Sequence, residues 1–139
     1  MNKSIVICIA GAGSTYTPGI INTLLLNMDV FPVKEIRLYD IDENQNRRSQ
    51  VIIEYLLQKS ELNLKVSSTT DPELAFTGVD YIFSQIRSGG LKMREQDEKI
   101  PLKYGLVGQE TCGLGGFSYG MRSMKGFLEL MKHITQYAP

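Results

Sequence analysis

The sequence predicts an α/β fold: a doubly wound parallel sheet with helices on both faces. Three observations carry this. Ile5-Val6-Ile7-Cys8-Ile9-Ala10 is a continuous apolar run rich in β-branched residues, the pattern of a strand buried on both faces. A glycine-rich junction, Gly11-Ala12-Gly13-Ser14, follows it and leads into helical periodicity. Strand-like and helix-like segments then alternate as far as Ser84, which predicts βαβ units with right-handed crossovers.

Each element has its own signal. Pro18 suits the first turn of a helix, and Thr17 reads as its cap. Ile20, Ile21, Leu24, Leu25 and Met28 recur at helical spacing until Phe31-Pro32. Glu35–Tyr39 reads as the second strand, ending at Asp40. From Glu43 to Lys59 a second helix presents Val51, Ile52, Tyr55 and Leu56 on one face. Leu62–Ser67 alternates apolar and polar residues, as a strand near the sheet edge does. Asp71-Pro72 opens a short helix that Gly78 closes, and Val79–Ser84 is the fourth strand. Beyond Gly89-Gly90 a polar helix is expected from Leu91 to Tyr104, then a glycine-rich loop from Gly105 to Gly116. Met121, Met124, Phe127, Leu128, Met131 and Ile134 form a last helical stripe. In such a chain that helix should lead into a fifth strand, so the sheet is expected to be truncated before it, as in a fragment of a longer protein.

The 139 residues fit one domain with room for a sizeable core. Acidic and basic residues balance at 15 each, which argues against a nucleic-acid-binding surface. Two cysteines, Cys8 and Cys112, are too few for a disulfide framework or a closed zinc site. No apolar run reaches the roughly 18 residues of a membrane span. Only Lys3 precedes the first apolar run and no cleavage pattern follows, so a secretory leader is not indicated. These bounds set a soluble, cytoplasmic domain as the expectation.

Two constellations carry chemistry. In the first, Gly11 allows a tight turn and Gly13 lets the backbone approach a pyrophosphate at a helix N-terminus. Tyr16 holds the usual third glycine position. Asp40 ends the second strand 27 residues after Gly13, where a carboxylate accepts from the ribose hydroxyls of NAD and repels the 2′-phosphate of NADP. Asp40 also suits a turn or helix cap, since Asp42 and Asn44 follow. The second constellation is Arg87, Arg94, Asp97, Glu98, Gln109 and Glu110, set among glycines after the fourth strand. Arg87 and Arg94 could clamp a phosphate or carboxylate, or pair with Glu95, Asp97 or Glu98. Gly105, Gly108, Gly113, Gly115 and Gly116 suggest backbone shaped around a ligand. Cys8 reads as core, His133 as a surface residue and Cys112 as a loop thiol without a nearby histidine.

Gly11–Pro18 (GAGSTYTP), Arg94–Leu102 (REQDEKIPL) and Tyr104–Gly116 (YGLVGQETCGLGG) resemble glycoside hydrolase family 4, and within it the 6-phospho-β-glucosidases. The resemblance implies a Rossmann-like NAD-binding domain over residues 1–139, the N-terminal part of an enzyme hydrolysing a phosphorylated disaccharide or glycoside. In that family NAD oxidises the sugar at C3 and a divalent metal, usually manganese, polarises the ketone. A tyrosine base then takes the C2 proton, and elimination follows. Carried over residue by residue, Gly11, Gly13, Ser14 and Asp40 match cofactor positions. Arg94 matches a substrate-binding arginine, Arg87 a position beside the active site, and Glu110 an acid near the catalytic tyrosine. The family's metal-binding cysteine and histidine and its tyrosine base have no counterpart here, and Met124-Lys125 replaces its Ile-Pro after Arg122-Ser123. The resemblance therefore implies no metal ligands in this chain, an inactive isolated chain, and a homo-oligomeric parent enzyme. Two other readings share the cofactor turn: a 2-hydroxyacid dehydrogenase of the lactate or malate type, and a non-catalytic NAD-binding module.

Overall fold

The computed structural model describes residues 4–60 and 62–139; Lys3 lies outside them. Nine elements follow in order: β1 (Ile5–Ala10), α1 (Thr17–Leu25), β2 (Val33–Tyr39), α2 (Glu43–Ser60), β3 (Lys65–Thr69), α3 (Pro72–Phe76), β4 (Tyr81–Ser84), α4 (Gly90–Leu102) and α5 (Gly113–Tyr137). The chain forms two compact units, one of residues up to Gln85 with His133–Pro139, the other of Ile86–Lys132.

In the first unit the four strands form one parallel sheet in the order β3-β2-β1-β4. β1 is central, which explains its unbroken apolar run: Ile7, Cys8, Ile9 and Ala10 are all fully buried. Ile7 and Ile9 pair with Ile36 and Leu38 of β2. That face is covered by Ile21 of α1 and by Ile53 and Leu57 of α2. Each such side chain contributes about 1.5–3 kcal/mol relative to exposure. On the other face Tyr39 meets Phe76 of α3 with ring centroids 4.9 Å apart, and Arg37 Nη1 donates to the Leu74 and Thr77 carbonyls. Helices thus lie on both faces, as a doubly wound sheet requires. Cys8 is core; desolvation pushes its thiol up to about 12, against a smaller opposing pull from Arg37.

Several local expectations are corrected. The inward face of α2 is Asn46, Ser49, Ile53 and Leu57, whereas Val51, Ile52 and Tyr55 are exposed. The helix is rotated because Asn46 Nδ2 donates to the carbonyls of Leu38 and Thr69 at 3.0 and 3.1 Å, tying its first turn to the ends of β2 and β3. β3 starts at Lys65 rather than Leu62, since pairing with β2 begins at Glu35; its edge position is as expected. α3 opens as expected, with Asp71 Oδ1 accepting from Glu73 N. His133 is half-buried, its ring stacked on Tyr137.

In the second unit, α5 begins at Gly113 and not near Met121, and it runs unbroken through Met124-Lys125. Three of the glycines expected to shape a loop around a ligand, Gly108, Gly115 and Gly116, are instead places of close backbone packing, while Gly105 and Gly113 take positive φ with open space around them. A Cβ on Gly115 would overlap the Gln109 carbonyl oxygen, and one on Gly116 would overlap that of Thr111. A Cβ on Gly108 would collide with the Glu98 carbonyl oxygen in the same way.

Candidate functional site

The glycine turn between β1 and α1 is held from both sides. Gly11, with φ at 85°, takes a conformation that a side chain would strain. The N–H groups of Gly11 and Ala12 both donate to the Tyr39 carbonyl, at 2.8 and 3.1 Å. Asp40 Oδ2 accepts from Gly13 N at 2.8 Å, and Asp40 Oδ1 from Asp42 N at 3.0 Å. Asp40 therefore both makes the turn into α2 and joins the glycine turn, so its two readings are compatible. Gly13 must be glycine because a Cβ there would lie 2.7 Å from Gln45 Cβ and 2.9 Å from Asp40 Oδ2. Ser14 is half-buried at the tip of this turn, with its N–H on the Gly11 carbonyl.

Thr17 is not the cap of α1. Tyr16 occupies that position in a helical conformation with no side-chain cap bond, and no acidic residue lies in the first turn. Thr17 is fully buried instead, and its Oγ1 donates to the Ala12 carbonyl at 2.8 Å. Gln85 Nε2 in turn donates to Thr17 Oγ1 at 2.5 Å. Sequence reasoning missed Gln85, which lies 68 positions away and carries no local signal.

These residues fit a dinucleotide. An uncapped helix start offers its positive end to a phosphate. A carboxylate has about four acceptor directions; two are taken by backbone N–H groups, and two remain for a ribose diol.

In the second unit Glu110 gathers the two expected arginines. Its Oε1 pairs with Arg87 Nη1, and its Oε2 with Arg94 Nη2 at 3.0 Å. Arg94 Nε also pairs with Glu98 at 2.8 Å along α4. The Arg87 guanidinium lies 5.8 Å from the Tyr119 ring centre. Asp97 does not pair with Arg94. It is buried, and its carboxylate is held in the fork of Arg122, whose Nη1 donates to Oδ1 at 3.0 Å while Nη2 bonds Oδ2. Those hydrogen bonds keep the Asp97 carboxyl below its usual range although burial opposes them. Arg122 Nε also donates to the Ser88 carbonyl at 3.0 Å. Gln109 and Cys112 are exposed. Among the described residues no group of three or more histidine, cysteine, aspartate or glutamate side chains could hold a metal ion, and no helix is long and apolar enough to cross a membrane.

With a glycine turn tied to a strand-end carboxylate and an arginine–glutamate cluster in place, comparison with known proteins defines the class. The description "Family 4 glycosyl hydrolase" matches residues 6–139, and the chain belongs to that family. It is 47% identical over 137 residues to the maltose-6′-phosphate glucosidase of Bacillus subtilis (strain 168), covering 99% of this chain and 30% of that protein. The crystal structure of a 6-phospho-alpha-glucosidase from gut microorganisms in complex with NAD and Mn2+ is similar at a TM-score of 0.93 and 42% identity, over 99% of this chain and 31% of that one. A 6-phospho-beta glucosidase from Thermotoga maritima, with NAD and glucose-6-phosphate, is similar at 0.87 and 36% identity, over 96% of this chain and 32% of that one. The chain thus spans about 30% of the length of the curated relatives it matches.

Proposed function

We propose that this chain is the dinucleotide-binding portion, over residues 1–139, of an NAD- and manganese-dependent phospho-glucosidase that hydrolyses phosphorylated glucosides. The cofactor part rests on one observation: Asp40 Oδ2 accepts from Gly13 N at 2.8 Å, which joins a ribose-binding carboxylate to a phosphate-binding turn. Gly11, Gly13 and Ser14 shape the turn, and Asp40 takes the ribose hydroxyls and disfavours a 2′-phosphate. Bound NAD supplies reversible hydride transfer at the sugar. Arg94 and Arg87 bind the anionic group of the substrate, with Glu110 fixing the spacing of their guanidinium forks. In the whole enzyme Glu110 also lies near the catalytic base. The described residues do not fit a metal ion, and none of the roles assigned to them passes through one. A cytoplasmic homo-oligomer completes the proposal.

The anomer differs from the expectation drawn from the motifs, which was β. The relatives at 47% and 42% identity are named for maltose-6′-phosphate and for 6-phospho-alpha-glucoside, and those named for beta-glucosides stand at 36% to 40%. These identities favour an α-linked 6-phosphoglucoside. Family membership weighs against the hydroxyacid dehydrogenase alternative. The test is an assay of an enzyme of family length carrying this sequence, with NAD+ and Mn2+, on p-nitrophenyl α- and β-glucoside 6-phosphates. Faster turnover of the α substrate is expected. Turnover of the β substrate alone would reverse the anomer, and indifference to the 6-phosphate would remove the phospho-glycosidase reading.

A further inference from the structure

The sequence places a bulky tyrosine where a dinucleotide-binding turn usually has its third glycine. The structure resolves this by leaving Tyr16 71% exposed and burying Thr17 completely, one position later. A threonine that caps a helix sits just before the first turn and accepts from its free N–H groups. Thr17 instead turns its hydroxyl inward, where it has two partners of fixed character. The Gln85 amide nitrogen can only donate and the Ala12 carbonyl can only accept, so the single hydroxyl proton lies toward Ala12. Gln85 is itself anchored, its backbone N–H donating to the Ala10 carbonyl at 2.9 Å.

The consequence lies in the peptide unit between Ala12 and Gly13. In a trans peptide the carbonyl and the following N–H point in opposite directions across one rigid plane. Here the carbonyl is held by Thr17 Oγ1 at 2.8 Å, and the N–H is held by Asp40 Oδ2, also at 2.8 Å. One plane is therefore clamped at both ends, by the start of α1 and by the carboxylate at the end of β2. Rotation of that plane would release both bonds together.

We propose that Thr17, oriented by Gln85, is a positioning residue for NAD: it sets the Ala12–Gly13 peptide plane and, through it, the Asp40 carboxylate that receives the ribose. Thr17 does not touch the cofactor. The inference rests on the NAD-binding reading of the turn and extends it to two residues outside the glycine fingerprint.

The experiment is an NADH fluorescence titration of the 139-residue protein and its variants, with hydrogen exchange of the Gly13 amide as a cofactor-independent readout. Thr17→Val keeps the shape and removes the hydroxyl. It should weaken NADH binding about tenfold, because the free protein would then hold the Ala12–Gly13 plane and Asp40 in the binding arrangement only about a tenth of the time, and should speed Gly13 exchange. Thr17→Ser should restore both. Gln85→Met, which leaves the hydroxyl in place but unoriented, should give an intermediate loss and stands in should Thr17→Val not fold. Combined with Asp40→Asn, the Thr17→Val loss should be far from additive, because both residues hold one plane. Wild-type NADH affinity and unchanged Gly13 exchange in Thr17→Val would overturn the inference alone. Failure of the wild-type protein to bind NADH would overturn the cofactor reading and this inference with it.

Discussion

At the scale of single residues, Asp40 serves two structures at once, and replacing it separates them. Asp40→Ala should weaken NADH binding by about 1–3 kcal/mol, the range for a lost hydrogen-bonding carboxylate, in a fluorescence titration; an unchanged curve would take Asp40 out of the site. The two thiols differ in the opposite sense. Cys112 is exposed and Cys8 is buried, with its thiol raised from an ordinary 9.0 to about 12. Burial and the raised pKa keep Cys8 protonated at pH 8, so a thiol reagent should label one cysteine in the native protein and two after denaturation. The same shift has a sign for stability. The native state keeps the Cys8 proton longer than the unfolded chain, so stability is complete below pH 9 and declines as pH rises toward 12. Denaturant midpoints measured across that window should fall, and Cys8→Ala should flatten the slope.

At the scale of elements, α5 and α2 show how a periodic pattern can name a helix and misplace its limits or its face. The glycines at the start of α5 read as loop because glycine is a poor helix former. Gly115 and Gly116 are needed inside α5 because the helix passes within contact of the backbone of the preceding segment, where no Cβ fits. Two substitutions in the same helix should therefore have opposite signs. Gly115→Ala drives a Cβ into the Gln109 carbonyl oxygen and should lower the thermal midpoint. Gly120→Ala meets nothing within 4 Å and should stabilise by about 0.5–1 kcal/mol. Equal effects in thermal melts would contradict the packing account. In α2, Val51, Ile52 and Tyr55 are apolar at helical spacing yet exposed, while the polar Asn46 and Ser49 are buried. Hydrogen bonds from Asn46 to two strand carbonyls decided the face, and an apolar count has no way to register them.

At the scale of the whole molecule, the two units carry separate parts of one proposed chemistry, the cofactor turn in the first and the arginine–glutamate cluster in the second. The 139-residue protein supplied with NAD+ and Mn2+ should show no glycosidase turnover, since its described residues offer no metal-binding group. Measurable release of p-nitrophenol from a phosphorylated substrate would refute this. In an enzyme of family length, Arg94→Ala should raise KM for 6-phosphorylated substrates far more than for unphosphorylated ones. Equal changes would show that Arg94, paired with Glu110 and Glu98, does not read the phosphate.

The alternation of strands and helices, the buried central strand, the edge character of β3, the glycine turn and Asp40 were all legible in the amino-acid order, because each depends on local periodicity or on a short motif. Tertiary structure alone decided which face of α2 points inward, that Arg122 rather than Arg94 holds Asp97, that Glu110 joins Arg87 to Arg94, and that the Thr17 hydroxyl turns away from its own helix. The physical reason is the same in every case. These are directional bonds between side chains and partners brought together by folding, 25 positions apart for Arg122 and Asp97 and 68 for Thr17 and Gln85. Hydrophobic spacing records only how often a residue points toward a core, and not which partner waits there.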